Sequence, residues 1–356
     1  MNLTRREFLA AGATALAALP GPVPAAGPPS REGRQRLGVV AYCYSIRMGA
    51  ERKRGATGLA DPLAFLEQCR RLGAGGMQFA LGVREKDYVV KLRQKLEASG
   101  MYLEGIVRLP QDRSDVDRFA AEVRVAKEAG ARVLRTVLLS GRRYETFDTA
   151  AAFRKWRENA FAALALAEPV AARQDVRLAV ENHKDLRVGE LLDVLKRLDS
   201  RHVGVCVDTG NSIALLEDPL EVVEAYAPWA FSTHVKDVAV AEYDEGFLLA
   251  EVSLGEGILD LKKIVAVLRR AHPEVRFNLE MITRDPLKVP CLAPKYWASS
   301  ENLPGRYLAR TLSWVRRHRL RKPLPHVTGL DPKQQLAAEE DNVRKSLAYA
   351  REHLGL

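Results

Sequence analysis

Short runs of apolar and β-branched residues alternate along the chain with longer segments of helical period. Eight of the short runs read as strands: 37–45, 76–81, 102–109, 132–139, 176–182, 203–208, 230–236 and 276–281. The segments between them carry helix punctuation. Asp61-Pro62 opens one helix with a side-chain acceptor and a preset first turn, and Gly73 closes it; Ser114 opens another that ends at Gly130. Strict strand–helix alternation implies a parallel sheet, because parallel neighbours need a crossover. Eight such units over about 280 residues fit a closed (β/α)8 TIM barrel, expected to span 37–322. A doubly wound open sheet satisfies the same alternation, so the chemistry at the strand ends has to separate the two.

Two longer connections, 237–257 and 282–299, follow the seventh and eighth strands, where barrel loops build substrate pockets. Beyond 322, a linker with Pro323 and Pro325 leads to an amphipathic segment from about Pro332 to His353. Residues 323–356 therefore read as a linker and C-terminal helical extension, packing on the barrel or on a partner subunit in a homo-oligomer.

The N-terminus breaks this rhythm. Thr4-Arg5-Arg6-Glu7-Phe8-Leu9 precedes a short apolar run from Ala10 to Leu19 and small residues around Pro24-Ala25-Ala26, the order of a twin-arginine signal peptide over 1–26. A flexible linker over 27–36 follows. The apolar run is about half the roughly 20 residues a spanning helix needs, so no permanent membrane anchor is expected. The expected location is the periplasm, with the twin-arginine translocase as a partner. That route carries folded proteins, which suits an enzyme that takes up its metal before export.

Hydrophobic residues make up 47% of the 356-residue chain, enough for one large core. Cys43, Cys69, Cys206 and Cys291 are too few and too scattered for a disulfide framework or a Cys-x-x-Cys zinc site. The net charge of +10, or +9 without Arg5, Arg6 and Glu7, is also scattered. Its densest run, 316–322, sits at a helix end, where cations offset the dipole, and no nucleic-acid partner is expected.

The last four strands each end in a residue able to bind a divalent cation: Glu181, Asp208, His234 and Glu280. In a barrel these ends converge on one face. Three carboxylates there without a cation would repel by about 4 kcal/mol per pair at 4 Å under an effective dielectric near 20. A divalent metal removes the conflict. Oxygen and imidazole ligands without thiolate suit Mn2+ first, then Co2+, Zn2+ or Mg2+, and argue against a closed structural zinc site.

On these residues the chain resembles the xylose isomerase-like sugar isomerases and epimerases, the family of D-tagatose 3-epimerase and inosose dehydratase. The resemblance covers about 37 to 317. It rests on the Glu, Asp, His, Glu order at Glu181, Asp208, His234 and Glu280, and on a glycine-rich turn from Val252 to Asp260. It implies that the metal binds neighbouring oxygens of a keto sugar, and that Glu181 and Glu280 are also the catalytic acid/base pair. Two positions depart from the family's epimerases: Asn211 stands where they carry a substrate-contacting histidine, and Val240 where they carry an arginine. The resemblance therefore supports the coordination more strongly than the epimerisation.

Strand parity, which places side chains two apart on one face, and proximity to the ligands add substrate-binding candidates. These are His183, Asn211, Lys236, Glu104, Arg108 and Arg135, with Tyr42 and Tyr44 on the first strand. The expected activity is proton abstraction next to a carbonyl of a keto sugar, cyclitol or oxidised glycoside. A lyase or dehydratase on the same site and a non-catalytic carbohydrate-binding barrel are the alternatives. A DNA-repair endonuclease is disfavoured, since it needs a histidine ligand at the position of Asn211.

Overall fold

The computed structural model describes residues 37–300, 303–320 and 322–356, so the expected signal peptide and linker over 1–36 lie outside the described residues. Among these, the strands are β1 (Gly38–Val40), β2 (Gly76–Phe79), β3 (Tyr102–Ile106), β4 (Val133–Thr136), β5 (Arg177–Glu181), β6 (Val203–Asp208), β7 (Ala230–Val235), β8 (Asp237–Tyr243), β9 (Gly246–Val252), β10 (Phe277–Leu279) and β11 (Leu287–Val289). The helices are α1 (Ser45–Lys53), α2 (Pro62–Arg71), α3 (Lys86–Ala98), α4 (Val116–Glu128), α5 (Arg143–Thr146), α6 (Ala150–Arg173), α7 (Val188–Leu198), α8 (Pro219–Tyr226), α9 (Leu261–Ala271), α10 (Pro294–Trp297), α11 (Gly305–His318) and α12 (Pro332–Tyr349).

Strands β1 to β7 and β10 close into a parallel barrel in which β10 pairs with both β7 and β1. This is a TIM barrel, and all eight expected strands are in it. Its strands are covered on both sides, which is why they read as continuous apolar runs such as Val203-Gly204-Val205-Cys206-Val207. Helix starts follow the sequence signals. Asp61 accepts from the backbone of Leu63 and Ala64 ahead of α2, and Asp218 does the same for Leu220 and Glu221 ahead of α8.

Three features differ from expectation. The first strand stops at Val40 instead of 45, because Ala41–Tyr44 turns into a short 3-10 helix leading into α1. That turn sends Tyr44 outward to Gln68 and Glu340, while Tyr42 stays half exposed above Arg135. The two long connections hold an antiparallel sheet in the order β11-β9-β8. Its hairpin pairs Asp237 with Val252 and Tyr243 with Gly246, leaving a two-residue turn at Asp244-Glu245.

The third feature is at the C-terminus. Helix α11 follows the last barrel strand but packs on the accessory sheet, with Val315, Leu308 and Leu312 against Val238, Val240, Phe247 and Leu249. Helix α12 takes the place beside the β1–β10 seam, and its Val343 and Leu347, with Ala350, Leu354 and Leu356 beyond it, join the main barrel core. Packing on the barrel is one of the two placements expected for this helix; its position beside β1 and β10, in place of α11, was not expected. Buried Glu339 fixes the docking by accepting from the backbone N–H of Ile46 at 2.6 Å and Arg47 at 3.0 Å, in the first turn of α1.

Glu339→Ala leaves both donors without an acceptor. It is expected to lower the unfolding free energy by about 1–3 kcal/mol, seen as a lower urea midpoint at unchanged slope. An unchanged midpoint would show that the α12 contact does not hold the seam.

Candidate metal centre

Glu181 is the last residue of β5, Asp208 the last of β6, His234 the penultimate residue of β7, and Glu280 directly follows β10. These strands are consecutive in the closed order, so their ends form one arc of the barrel mouth. Parallel register aligns the ends, with Asp208 opposite His234 and His234 opposite Asn278. One ligand atom from each of the four residues lies within 4.8 Å of the others, and all four residues are buried.

The imidazole decides what the cluster can hold. Gln78 donates through its Nε2 to Glu104 Oε2 at 3.1 Å and to Ser232 at 3.4 Å, so its Oε1 is turned to His234 Nε2 at 2.7 Å. His234 must therefore donate from Nε2, which aims the Nδ1 lone pair at the carboxylates. Nδ1 lies 3.3 Å from Glu181 Oε2 and 3.3 Å from Glu280 Oε1, is buried, and has no hydrogen-bond partner. A lone pair facing anions is repulsive unless a proton or a cation sits between them. Burial lowers the proton affinity of His234, but the Cys206 sulfur and the Glu280 and Glu181 carboxylates outweigh it and raise it well above the ordinary value. The donor set of three carboxylates and one oriented imidazole, with an orphaned nitrogen at its centre, fits a divalent cation.

Cations surround the acids. Arg135 Nε donates to Glu181 Oε2 at 2.7 Å, and its Nη2 reaches the same oxygen. Asn211 Nδ2 donates to Glu181 Oε1 at 3.0 Å, while the Asn211 Oδ1 accepts from Lys184. Lys236 Nζ sits 2.6 Å from Glu280 Oε2 and 2.9 Å from Asp208 Oδ2. Burial raises the Glu181 and Glu280 carboxyls, but Arg135 with His234 holds Glu181 below the usual carboxylate range, and Lys236 with His234 holds Glu280 well below it. Asp208 is raised to about 6, because burial there exceeds the pull of Lys236.

A family model described as "Xylose isomerase-like TIM barrel" matches residues 66–318. The chain belongs to this family. This xylose isomerase-like barrel is 28% identical over 239 residues to 3-oxo-isoapionate decarboxylase of Pectobacterium atrosepticum, covering 65% of this chain and 80% of the relative. Among solved structures it is similar to D-psicose 3-epimerase, determined in the presence of D-fructose: TM-score 0.56, 13% identity, 90% of this chain and 100% of that one. It is also similar to a probable 3-DHS dehydratase from Bacillus anthracis involved in petrobactin synthesis, with TM-score 0.55, 12% identity, and coverage of 75% of this chain and 100% of that one. At these identities the structures show the shared fold.

Of the substrate-binding candidates, the xylose isomerase-like fold brings Arg135, Asn211 and Lys236 to the ligand group. His183 follows β5 in a tight turn, its N–H bonded to the Glu181 carbonyl at 2.9 Å. Burial and the adjacent Lys184 lower its pKa to about 3, and its buried Nδ1 has no partner, so it is a neutral ring beside the centre. Glu104 is not at the pocket. It lies a layer deeper, accepting from Gln78, from Ser232 at 2.5 Å and from Asn278 at 2.9 Å, where it supports His234 through Gln78. Arg108 is exposed beyond the end of β3 and acts on Asp115 near the start of α4, so strand parity no longer places it.

Several residues went unnoticed in the sequence: Gln78, which orients the imidazole; Lys184; and Glu251 with its partner Arg284 at 2.6 Å. Asp237 is another. Its carboxylate accepts from Gly255, Gly257 and Leu259 at 3.0–3.1 Å and folds the glycine-rich turn, where a Cβ on Gly257 would meet its Oδ1 at 2.1 Å.

Mn2+ at a hundredfold excess over its Kd is expected to raise stability by about 2.7 kcal/mol, an effect lost in Asp208→Asn. Proton and cation compete for His234 Nδ1, whose proton affinity is raised, so metal affinity falls as pH falls. One displaced proton changes it up to about tenfold per pH unit. Calorimetric titration at several pH values checks both, and pH-independent binding would rule out His234 as a ligand.

Proposed function

We propose that this xylose isomerase-like barrel is a divalent-metal-dependent enzyme that removes a proton next to the carbonyl of a keto sugar, cyclitol or oxidised glycoside, as in isomerisation or epimerisation. The observation that carries this is the pairing of Glu181 and Glu280 on either side of His234, each kept ionised by its own cation. Glu181, Asp208, His234 and Glu280 are the proposed ligands, with Mn2+ the favoured ion. A bound divalent cation supplies fixed positive charge for neighbouring substrate oxygens.

The remaining steps belong to the chain. One of the two glutamates, ionised, takes the proton from carbon and, now protonated, gives it back to the neighbouring carbon, which balances an isomerisation. Return of a proton to the opposite face requires that the other glutamate first take one up from water. Arg135 and Asn211 hold Glu181 in place from both of its oxygens. Lys236, whose ammonium also lies 3.6 Å from Glu251, donates to the substrate oxygen that gains charge. His183, neutral and with a free ring nitrogen, is a substrate hydrogen-bonding group.

A lyase outcome is the second reading, favoured by the likeness to a decarboxylase and by Asn211 and Val240 at the two epimerase positions. The same carbon-centred electron pair forms by loss of carbon dioxide from a β-keto acid, and it can expel a β-substituent.

The test is incubation of the Mn2+-loaded protein with keto sugars, inosose, 3-keto-glycosides and β-keto sugar acids in deuterated water. Deuterium uptake without loss of mass indicates isomerase or epimerase chemistry, and release of water, aglycone or carbon dioxide indicates a lyase. Glu280→Gln is expected to lower turnover by about 10²–10⁴ with ligand binding retained. Binding without turnover of any of these in the wild type would sink the enzyme assignment.

We also propose export by the twin-arginine route to the periplasm, on the Arg5-Arg6 segment. Replacing both with Lys is expected to leave the protein in the cytoplasmic fraction, and an unchanged distribution would argue against it.

A further inference from the structure

Around the centre every cation but one lies against a carboxylate. Arg135 faces Glu181, Lys236 faces Asp208, Glu280 and Glu251, and Arg284 faces Glu251. Lys184 is 3% exposed, and its ammonium is bonded to the neutral Asn211 amide oxygen. It makes no ion pair with a carboxylate among the described residues, taking 4.0 Å as the limit. A buried cation with only a neutral partner is destabilising unless an anion joins it.

Its position is that of a ligand-binding group. Asn211 connects it directly to Glu181, and the charges acting on it are those of Lys236, Arg284, Glu251 and Asp208, so it faces the metal centre. Its backbone is fixed as well. The Lys184 carbonyl accepts from Arg143 N at 2.8 Å, and the neighbouring Asp185 carboxylate accepts from Leu186 N at 2.7 Å and Leu139 N at 3.2 Å. Of the three donors on an ammonium, Asn211 takes one, leaving two for a ligand. A single ammonium with no carboxylate of its own matches a monoanion better than a phosphate dianion.

We propose that Lys184 receives a carboxylate of the substrate, so that the enzyme acts on a keto sugar acid in preference to a neutral keto sugar. This rests on the proposed metal-dependent function and names its substrate class. An inert acid and its neutral counterpart separate recognition from turnover. D-erythronate, erythritol and erythritol 4-phosphate are titrated into Mn2+-loaded wild type, Lys184→Gln and Lys184→Arg, with thermal melts to confirm folding.

Wild type is expected to bind erythronate at least tenfold tighter than erythritol. Lys184→Gln should lose that preference with erythritol affinity unchanged, and Lys184→Arg should recover part of it. Equal binding of acid and alcohol by the wild type, an equal loss of both in Lys184→Gln, or tighter binding of the phosphate than of erythronate overturns the proposal. Metal content measured on the same samples keeps the two readings apart. A Lys184-dependent preference without bound Mn2+ sinks the metal assignment alone; bound Mn2+ without the preference sinks this one.

Discussion

Like charges buried at one point are the constraint on which the rest of this structure turns. Three carboxylates converge at the mouth of the barrel with an imidazole lone pair aimed among them. Nothing in the barrel framework relieves that by itself, so the surroundings are organised to make it tolerable. Arg135 and Lys236 neutralise two of the acids from the flanks, and Gln78 sets the direction of the imidazole from across the barrel. The central nitrogen remains without a partner, which is the position a cation fills. The layer beneath, with Glu104 held by Gln78, Ser232 and Asn278, keeps the orienting amide from turning over.

Much of this was legible in the sequence because it depends on periodicity and on strand ends. Continuous apolar runs located all eight barrel strands, and the strand ends located the four residues that converge at the barrel mouth. Parity failed where the strand itself failed: Arg108 lies past the end of β3, and Tyr44 lies in a 3-10 turn, so neither points where alternation puts it. Glu104 obeys parity but sits too deep, since facing inward does not fix depth along the barrel axis.

The remaining misses share a cause. Lys184 follows a strand in a turn with no period, and Gln78 is a neutral residue whose importance appears only when His234 and Glu104 are seen on either side of it. The alternation in Asp237–Tyr243 and Gly246–Val252 was available as a hairpin signal, but both segments fell inside what read as one long loop. Helix α12 was visible as a helix. Its place in the barrel was not, because helices after the last strand ordinarily close the ring in chain order and α11 here leaves that duty to its successor.

The contact between Glu339 and the first turn of α1 joins residues 293 positions apart. During synthesis the N-terminal units emerge and begin to fold first, yet the backbone donors of Ile46 and Arg47 have no acceptor from Glu339 until α12 has left the ribosome. The strand pairing that closes the ring is therefore covered from outside by a helix far along the chain, and a long loop must close to bring that segment back. A chain without α12 keeps all eight parallel strands, but the outer side of the β1–β10 pairing is then uncovered and the Ile46 and Arg47 N–H groups lack the Glu339 acceptor.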